Sequence, residues 1–543
     1  MNTEKRGMFV TEDGRNVMFT FILVSSLFLL WGFCNGMIDV MDKHFQEELH
    51  LTLAQSAWVQ FAHYLGYFLM SLPAGWLATR LGYKGGIIAG LLLVALGGFW
   101  FIPATRIAAF WAFLLGVCVI ASGLTFLETV ANPYTTVLGP QRYAATRINL
   151  SQSCNGIGWI LGPIAGGLFF YGKDAAGQST GSETLWIPYA GVAVIVIVLA
   201  VVFYFAEVPD IRSEDDYHLD DTEKNNGKAA GPDREVNHRL VYSLLLLNTG
   251  VLTGICAMIL WLILDALHLG PLCLGLARWI ALPFGMTATE DNALLFLVCL
   301  LAVLAFVAAA VLLRPVTRRI THHSIWAHEH FSGATLAQFF YVAAQAGIFS
   351  FLINYMTSEV PPIPSSWLTS FTRNWLETGK DGLLHISNQG ASNLASLGFF
   401  CFLTGRVTGA ALLRKFSAHK VLGLYGVLNV AVTFLVFLKL GWLSVACVFL
   451  SYFFMSIMFP TIFALGIFGL GLRAKRASAY IVMGIMGGAI LPKLMGAVAD
   501  HYDMSRGFIV PMVCFVLVAL YGYAWPKLSR ADSLHGVQAS AGH

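Results

Sequence analysis

Two carboxylates stand where carboxylates are costly. Asp39 lies in Trp31-Gly32-Phe33-Cys34-Asn35-Gly36-Met37-Ile38-Asp39-Val40, and Glu128 in Leu124-Thr125-Phe126-Leu127-Glu128-Thr129-Val130-Ala131-Asn132-Pro133. An ionisable group inside an apolar span costs roughly 2.5–3.5 kcal/mol on insertion scales and usually faces a cavity. Desolvation favours the protonated form of a carboxyl group, and access to water or loss of a hydrogen bond releases the proton. The chemistry indicated is proton carriage, with Glu128, deeper in its run, ahead of Asp39.

Amides form a second set. Asn149, Gln152 and Asn155 are spaced i, i+3, i+6 and share roughly one helix face. Asn35, Gln345, Asn354, Asn388, Gln389 and Asn393 lie in other apolar runs. Amides both donate and accept, which suits hydroxyl-rich ligands. Trp31, Phe33, Tyr64, Phe126 and Phe459 offer aromatic faces. Each of these residues has an alternative reading as interhelical packing or hydrogen bonding. His63 reads as a satisfied interhelical histidine, with proton relay as the alternative. Arg80, Lys84, Arg414 and Lys415 at inner helix ends satisfy the positive-inside rule and are candidates for gating by pairing with acidic groups; Arg406, within a span, is a further gating candidate. The tract His322-His323-Ser324-Ile325-Trp326-Ala327-His328-Glu329-His330 is metal-like in composition. Its place beside Arg314, Arg318 and Arg319 reads instead as a solvated juxtamembrane face, so no metal site is expected.

The elements that position these groups are membrane spans. Of 543 residues, 57% are hydrophobic and 12% charged, against about 25% charged in soluble domains. A net charge of +3 and the lack of a basic, aromatic-studded stretch give no support to nucleic-acid binding. Nine scattered cysteines lack the spacing of a zinc site or disulfide framework. Runs of about 20 apolar residues place spans near 17–41, 55–78, 85–104, 107–136, 147–171 and 185–206. Two more fall near 240–267 and 292–314, and six near 331–357, 386–413, 419–438, 440–470, 476–499 and 507–526. The total is about 14. Most of the 33 lysines and arginines fall on the side shared by both termini, which puts both termini in the cytoplasm.

Gly75–Lys84 and Gly409–Phe416, Ala131–Gly139 and Met458–Gly466, and Arg147 and Arg476 pair at offsets of about 330 positions. A six-span unit is therefore duplicated. The expected fold is all-α and integral to the membrane. A cytoplasmic N-terminus (1–16) leads into an N-terminal six-helix bundle (17–206). A cytoplasmic loop with two inserted spans follows (207–330), then a C-terminal six-helix bundle (331–526) and a cytoplasmic tail (527–543). Such pseudo-symmetric halves alternate access to a site between them near the membrane midplane.

The segment Gly75–Lys84 resembles the loop motif of the major facilitator superfamily. LETVANPYTTVLG (127–139), NLSQSCN (149–155) and MSIMFPTIFALG (455–466) resemble its fucose–galactose–proton symporter branch. The resemblance spans roughly 400 residues across both halves. It implies that Glu128 handles the proton, that Asp39 couples it to sugar, and that Gln152 and Asn155 contact sugar. Gly36, Asn354 and Met458-Phe459 depart from the branch, which carries asparagine, arginine and glutamine–tyrosine there. These departures leave L-fucose, galactose, glucose or an amino sugar open.

The expected function is proton-coupled monosaccharide symport by a monomer in lipid, in a bacterial inner membrane. No cofactor besides the coupling proton is expected. A facilitator or exporter on the same fold, or a non-transporting sugar sensor, are alternatives. No clustered nucleophile–base set and no phosphate-binding loop supports an enzyme or ATP drive.

Overall fold

The structure is a computed structural model. It describes residues 8–10, 14–138, 144–171, 185–208, 236–266, 269–281, 290–321, 324–364, 366, 373–379, 381–413, 416–468, 470 and 474–529.

The N-terminal half comprises α1 (Met18–Glu48), α2 (Trp58–Ile107), α3 (Phe110–Val137), α4 (Ala144–Phe170) and α5 (Trp186–Phe205). The inserted segment holds α6 (His238–Ala266), α7 (Gly270–Ala281) and α8 (Glu290–Arg318). The C-terminal half holds α9 (Glu329–Ser350), α10 (Leu352–Ser358), α11 (Asn388–Leu413), α12 (Ala418–Phe437), α13 (Trp442–Met455), α14 (Met458–Ile467), α15 (Ala474–Met483), α16 (Gly487–His501) and α17 (Ile509–Ser529). Among the described residues, 12 helical segments are long and apolar enough to cross a membrane. The pair α9 and α10, bent by 45°, makes a thirteenth.

The fourteenth span lies within α2. At about 1.5 Å per residue its 50 residues reach far beyond a hydrocarbon core of about 30 Å. The chain breaks at Gly82, with φ 69° and ψ −179°, a conformation that glycine alone adopts without strain. That glycine closes the Gly75–Lys84 motif, so the motif is the reversal between the second and third crossings. The spans expected at 440–470 and 476–499 are also interrupted, near Ser456 and Gly484–Met486. Two elements lie in segments read as loops. One is α7. The other is a short antiparallel hairpin, β1 (Leu376–Thr378) on β2 (Leu384–Ile386).

Close packing within the N-terminal half depends on glycine. Gly32 and Gly36 on α1 face Gly158 and Gly162 on α4, a small-xxx-small contact on both helices. A Cβ on Gly32 would sit 2.1 Å from the Asn155 carbonyl oxygen, and one on Gly36 would sit 2.9 Å from Pro163 Cδ. Phe101 stacks on Tyr189 at 3.9 Å in the core beside them.

The inserted pair is peripheral. The best apolar windows of α6 and α8 are each 11% buried, against 29–72% for the other spans. Tyr242 donates to the Ala310 carbonyl to join α6 to α8, and Asn248 donates to the Ser332 carbonyl to join α6 to α9. At the end opposite the chain termini, Lys493 of α16 sits 3.2 Å from the Trp58 ring centroid and 4.7 Å from that of Trp261. This cation–π contact ties both halves and the insertion together.

The histidine tract differs from expectation. Glu329 and His330 are buried, and His330 Nε2 meets the Phe468 carbonyl at 2.9 Å. Trp326 packs on Phe331 and Tyr480. The tract caps α9 against the C-terminal half rather than facing solvent; His322 and His323 lie outside the described residues.

Candidate functional site

One face of α2 organises the site. Gln60, His63, Tyr64 and Tyr67 recur at helical spacing and turn toward α1. Gln60 Nε2 donates to Asp39 Oδ1 at 2.8 Å. Asp39 is buried, and its Oδ2 has no hydrogen-bond partner. It lies within electrostatic reach of the Tyr64 hydroxyl and, from the other half, of Tyr452. Glu128, half-buried on α3, lines a narrow cavity with Leu27, Phe28, Trp31, Leu127 and Ala131. Trp31 Nε1 donates to the Tyr67 hydroxyl at 2.5 Å, and Glu128 acts electrostatically on Tyr67. A row of side chains on α2 thus runs from Asp39 to Glu128. His63 packs on Tyr64 and Tyr67 with centroids 5.0 and 5.1 Å away. Its Nδ1 has no partner.

The amides divide by what they touch. Asn35 is buried beside Tyr67 with its Oδ1 unpartnered. Asn155 Nδ2 donates to the Phe28 carbonyl at 3.2 Å, binding α4 to α1. Gln152, one turn earlier, is half-buried; Asn149 is helical, but its side chain lies outside the described residues. Gln345 is half-buried on α9. Gln338, two turns earlier, is fully buried with both amide atoms unpartnered. Sequence reasoning missed Gln338, although its i−7 spacing from Gln345 was available. Tyr341, between them, donates to the Met455 carbonyl at 3.0 Å and meets Phe459 edge-on at 6.4 Å.

The basic residues take other places than helix-end pairing with acids. Arg406 lies within α11, where Nε reaches the Ser456 carbonyl at 3.5 Å and the guanidinium lies 5.0 Å from the Phe402 ring. Lys84 Nζ donates to the Ala206 carbonyl at 2.9 Å and caps the end of α5, a favourable place for a cation. Arg80 is exposed and stacks on Trp76 at 4.3 Å. Arg414 and Lys415 lie outside the described residues.

Hydrogen bonds join the halves toward the end opposite the chain termini. Asn354 bonds Gln46, and Asn388 Nδ2 donates to Glu47 Oε2 at 2.6 Å. The Leu53 amide donates to Asp500 Oδ1 at 2.8 Å. Ser392 and Ser396 of α11 donate to the Pro163 and Ile160 carbonyls of α4 at 2.5 and 2.7 Å. Each bond is worth roughly 0.5–1.5 kcal/mol net, so this closure is reversible. Asn354, expected to contact ligand, is here part of the closure. Tyr64 lies against Gly488, where a Cβ would sit 2.4 Å from its ring.

Residues 18–352 match the model of the Major Facilitator Superfamily. The chain belongs to the major facilitator superfamily. This superfamily member is 31% identical to the L-fucose-proton symporter of Escherichia coli (strain K12), over 94% of this chain and 93% of that one. It is 26% identical to the glucose/galactose transporter of Brucella abortus biovar 1 (strain 9-941), over 95% and 96%. The crystal structure of the E. coli fucose:proton symporter superposes with TM-score 0.55 at 27% identity, covering 94% of this chain and 99% of that one. A superfamily transporter solved in the outward conformation gives the same TM-score at 28% identity and the same coverage.

Proposed function

We propose that this superfamily member is a secondary active transporter that couples proton entry to symport of a monosaccharide by alternating access. Similarity along nearly the whole chain to an L-fucose-proton symporter carries this reading. Asp39 and Glu128 supply its chemistry. Both lie in the N-terminal half on helices that face the central row of α2. Glu128 takes and releases the proton. Asp39, held by Gln60, senses sugar at the seam between halves. Asn35, Gln152, Asn155, Gln345, Asn354, Tyr64 and Phe459 contribute to the sugar path, some only once the closure opens. Arg406 holds a fixed positive charge beside Tyr341 and Phe402, and Arg80, Lys84 and Arg414 serve the gates.

The end carrying Gln46, Asn354 and Asp500 then faces outside, and both termini face the cytoplasm of a bacterial inner membrane. The working unit is a monomer in lipid, the proton is its coupling ion, and no cofactor or catalytic chemistry is required. Relatives are named for L-fucose and for glucose/galactose, so the substrate is a hexose of that class. Gly36 narrows this choice. Its contact with Pro163 leaves no room for the branch's asparagine, so that sugar contact is replaced by helix packing.

Uptake of labelled L-fucose, D-glucose and D-galactose into proteoliposomes with an inward proton gradient tests the proposal. A gradient of one pH unit is about 1.4 kcal/mol and supports about tenfold accumulation with one proton per sugar. Accumulation of none of the three, with or without the gradient, overturns it.

A further inference from the structure

One turn beyond Asp39, a second carboxylate is buried in the same seam. Asp42 is 1% exposed, and neither of its oxygens has a hydrogen-bond partner. From the other half, the Ser350 hydroxyl is fully buried, also unpartnered, and faces it. Gln60 faces it as well, with one of its two amide N–H groups committed to Asp39. Residues three apart on a helix have Cβ atoms about 5–6 Å apart, so Asp39 and Asp42 share one low-dielectric space.

The other charged or titratable groups around it do not compensate. On α1 they are Lys43, His44 and Glu47, and Lys43 turns away to Gln46 and Glu47 at 3.3 Å each. His63 and Tyr64 come from α2, Tyr171 from the end of α4, and Tyr452 from α13. Tyr171 donates to the Val40 carbonyl at 3.1 Å. Two ionised carboxylates cannot be buried side by side without a cation, because desolvation and repulsion act in the same direction.

We propose that Asp42 is a second proton-bearing residue of the transport cycle, whose protonation permits the two halves to close over the seam at the Gln46–Asn354 end. The assignment rests on the proton-symport reading above and adds a gate to it. With the seam open, water reaches Asp42 and it ionises. Closure requires a proton on Asp42, which then becomes a donor to Ser350 across the halves. The opposite end can therefore open only after Asp42 has been neutralised. No bond other than O–H forms or breaks, and the proton comes from the solvent on the open side.

The seam can be followed directly. Spin labels at His50→Cys and Leu383→Cys, on either side of the closed end, report its opening in reconstituted full-length protein. The exposed Cys256 and Cys299 are replaced by serine. In the protein with native Asp42, the inter-label distance should shift from short to long as pH rises from about 5 to 9, across the range of shifted carboxylates. Asp42→Asn should hold it short at every pH, and Asp42→Glu should restore the shift. Ser350→Ala should keep a pH-dependent shift, because the titrating carboxyl is retained. An Asp42→Asn protein with the native pH dependence, or a native protein with none, overturns the proposal. Loss of gradient-driven uptake in Glu128→Gln together with native gating in Asp42→Asn overturns the gate alone and leaves the symport reading standing.

Discussion

The two halves share a frame and divide the chemistry. The N-terminal half carries Asp39 and Asp42 on α1 and Glu128 on α3, each turned toward neighbouring helices. Helices α9 and α11 to α15 of the C-terminal half have no carboxylate beyond Glu329 at the start of α9, and they carry Arg406 against Ser456 and Phe402. In the proposed cycle one half titrates, and the other offers a constant charge with unpartnered amides such as Gln338. A duplicated scaffold separates these tasks readily. Packing differs in the same way. The α1–α4 contact sets glycine against backbone and a proline ring, while Gly347 of α9 meets the flexible end of Met495.

The largest expected effect is at Asp39. Asp39→Asn keeps a carbonyl acceptor for Gln60 but removes the ionisable group, and should abolish sugar uptake at every pH; wild-type rates in proteoliposomes would place the coupling group elsewhere. Glu128→Gln comes next. It should lose accumulation against a gradient while keeping sugar-for-sugar exchange, so that an accumulation ratio above one removes Glu128 from the proton path. Arg406→Met tests the fixed-charge half. It should weaken sugar binding while leaving the pH profile of exchange in place, and a shifted profile would mean that the C-terminal half takes part in titration.

Packing variants are smaller. Gly36→Ala should destabilise the protein by about 1–3 kcal/mol, the usual cost of overpacking a tight contact. Gly347→Ala should cost less because Met495 can move. Equal melting shifts in detergent would remove this difference between halves. The smallest effect concerns Lys439, which pairs with Glu359 at 3.2 Å and Asp503 at 3.1 Å where the C-terminal half meets solvent. Burial disfavours the ammonium, but the two carboxylates outweigh that and hold Lys439 above the usual lysine range. Its contribution is complete below about pH 10.4 and is lost as pH rises through the higher folded value. Lys439 is 43% exposed, so Lys439→Met should cost at most about 1 kcal/mol, read as a small drop in melting temperature at neutral pH that vanishes in strong alkali.

Much was legible before any coordinates. Apolar run length placed α6 and α8 to within a few residues, because a crossing requires a set length of backbone whose hydrogen bonds close internally. The offsets near 330 showed the duplication, and the cost of intramembrane charge singled out Asp39 and Glu128. Breaks within spans were not legible, because the 45° bend between α9 and α10 leaves hydropathy unchanged.

Partnership was the other hidden part. In this closed seam Asn354, expected to contact sugar, meets Gln46, and Lys84, expected at a gate, caps α5. Gln60, Asp42 and Ser350 had no signal beyond their polarity and, for Asp42, its spacing from Asp39. The sequence by itself determined the spans, the repeat and the presence of carboxylates in the membrane, because each follows from local composition and the free energy of burying it. Only the tertiary structure decided which polar groups meet. That depends on the rotation of each helix about its axis and on close approaches such as that of Gly36 to Pro163, which arise only when distant segments pack.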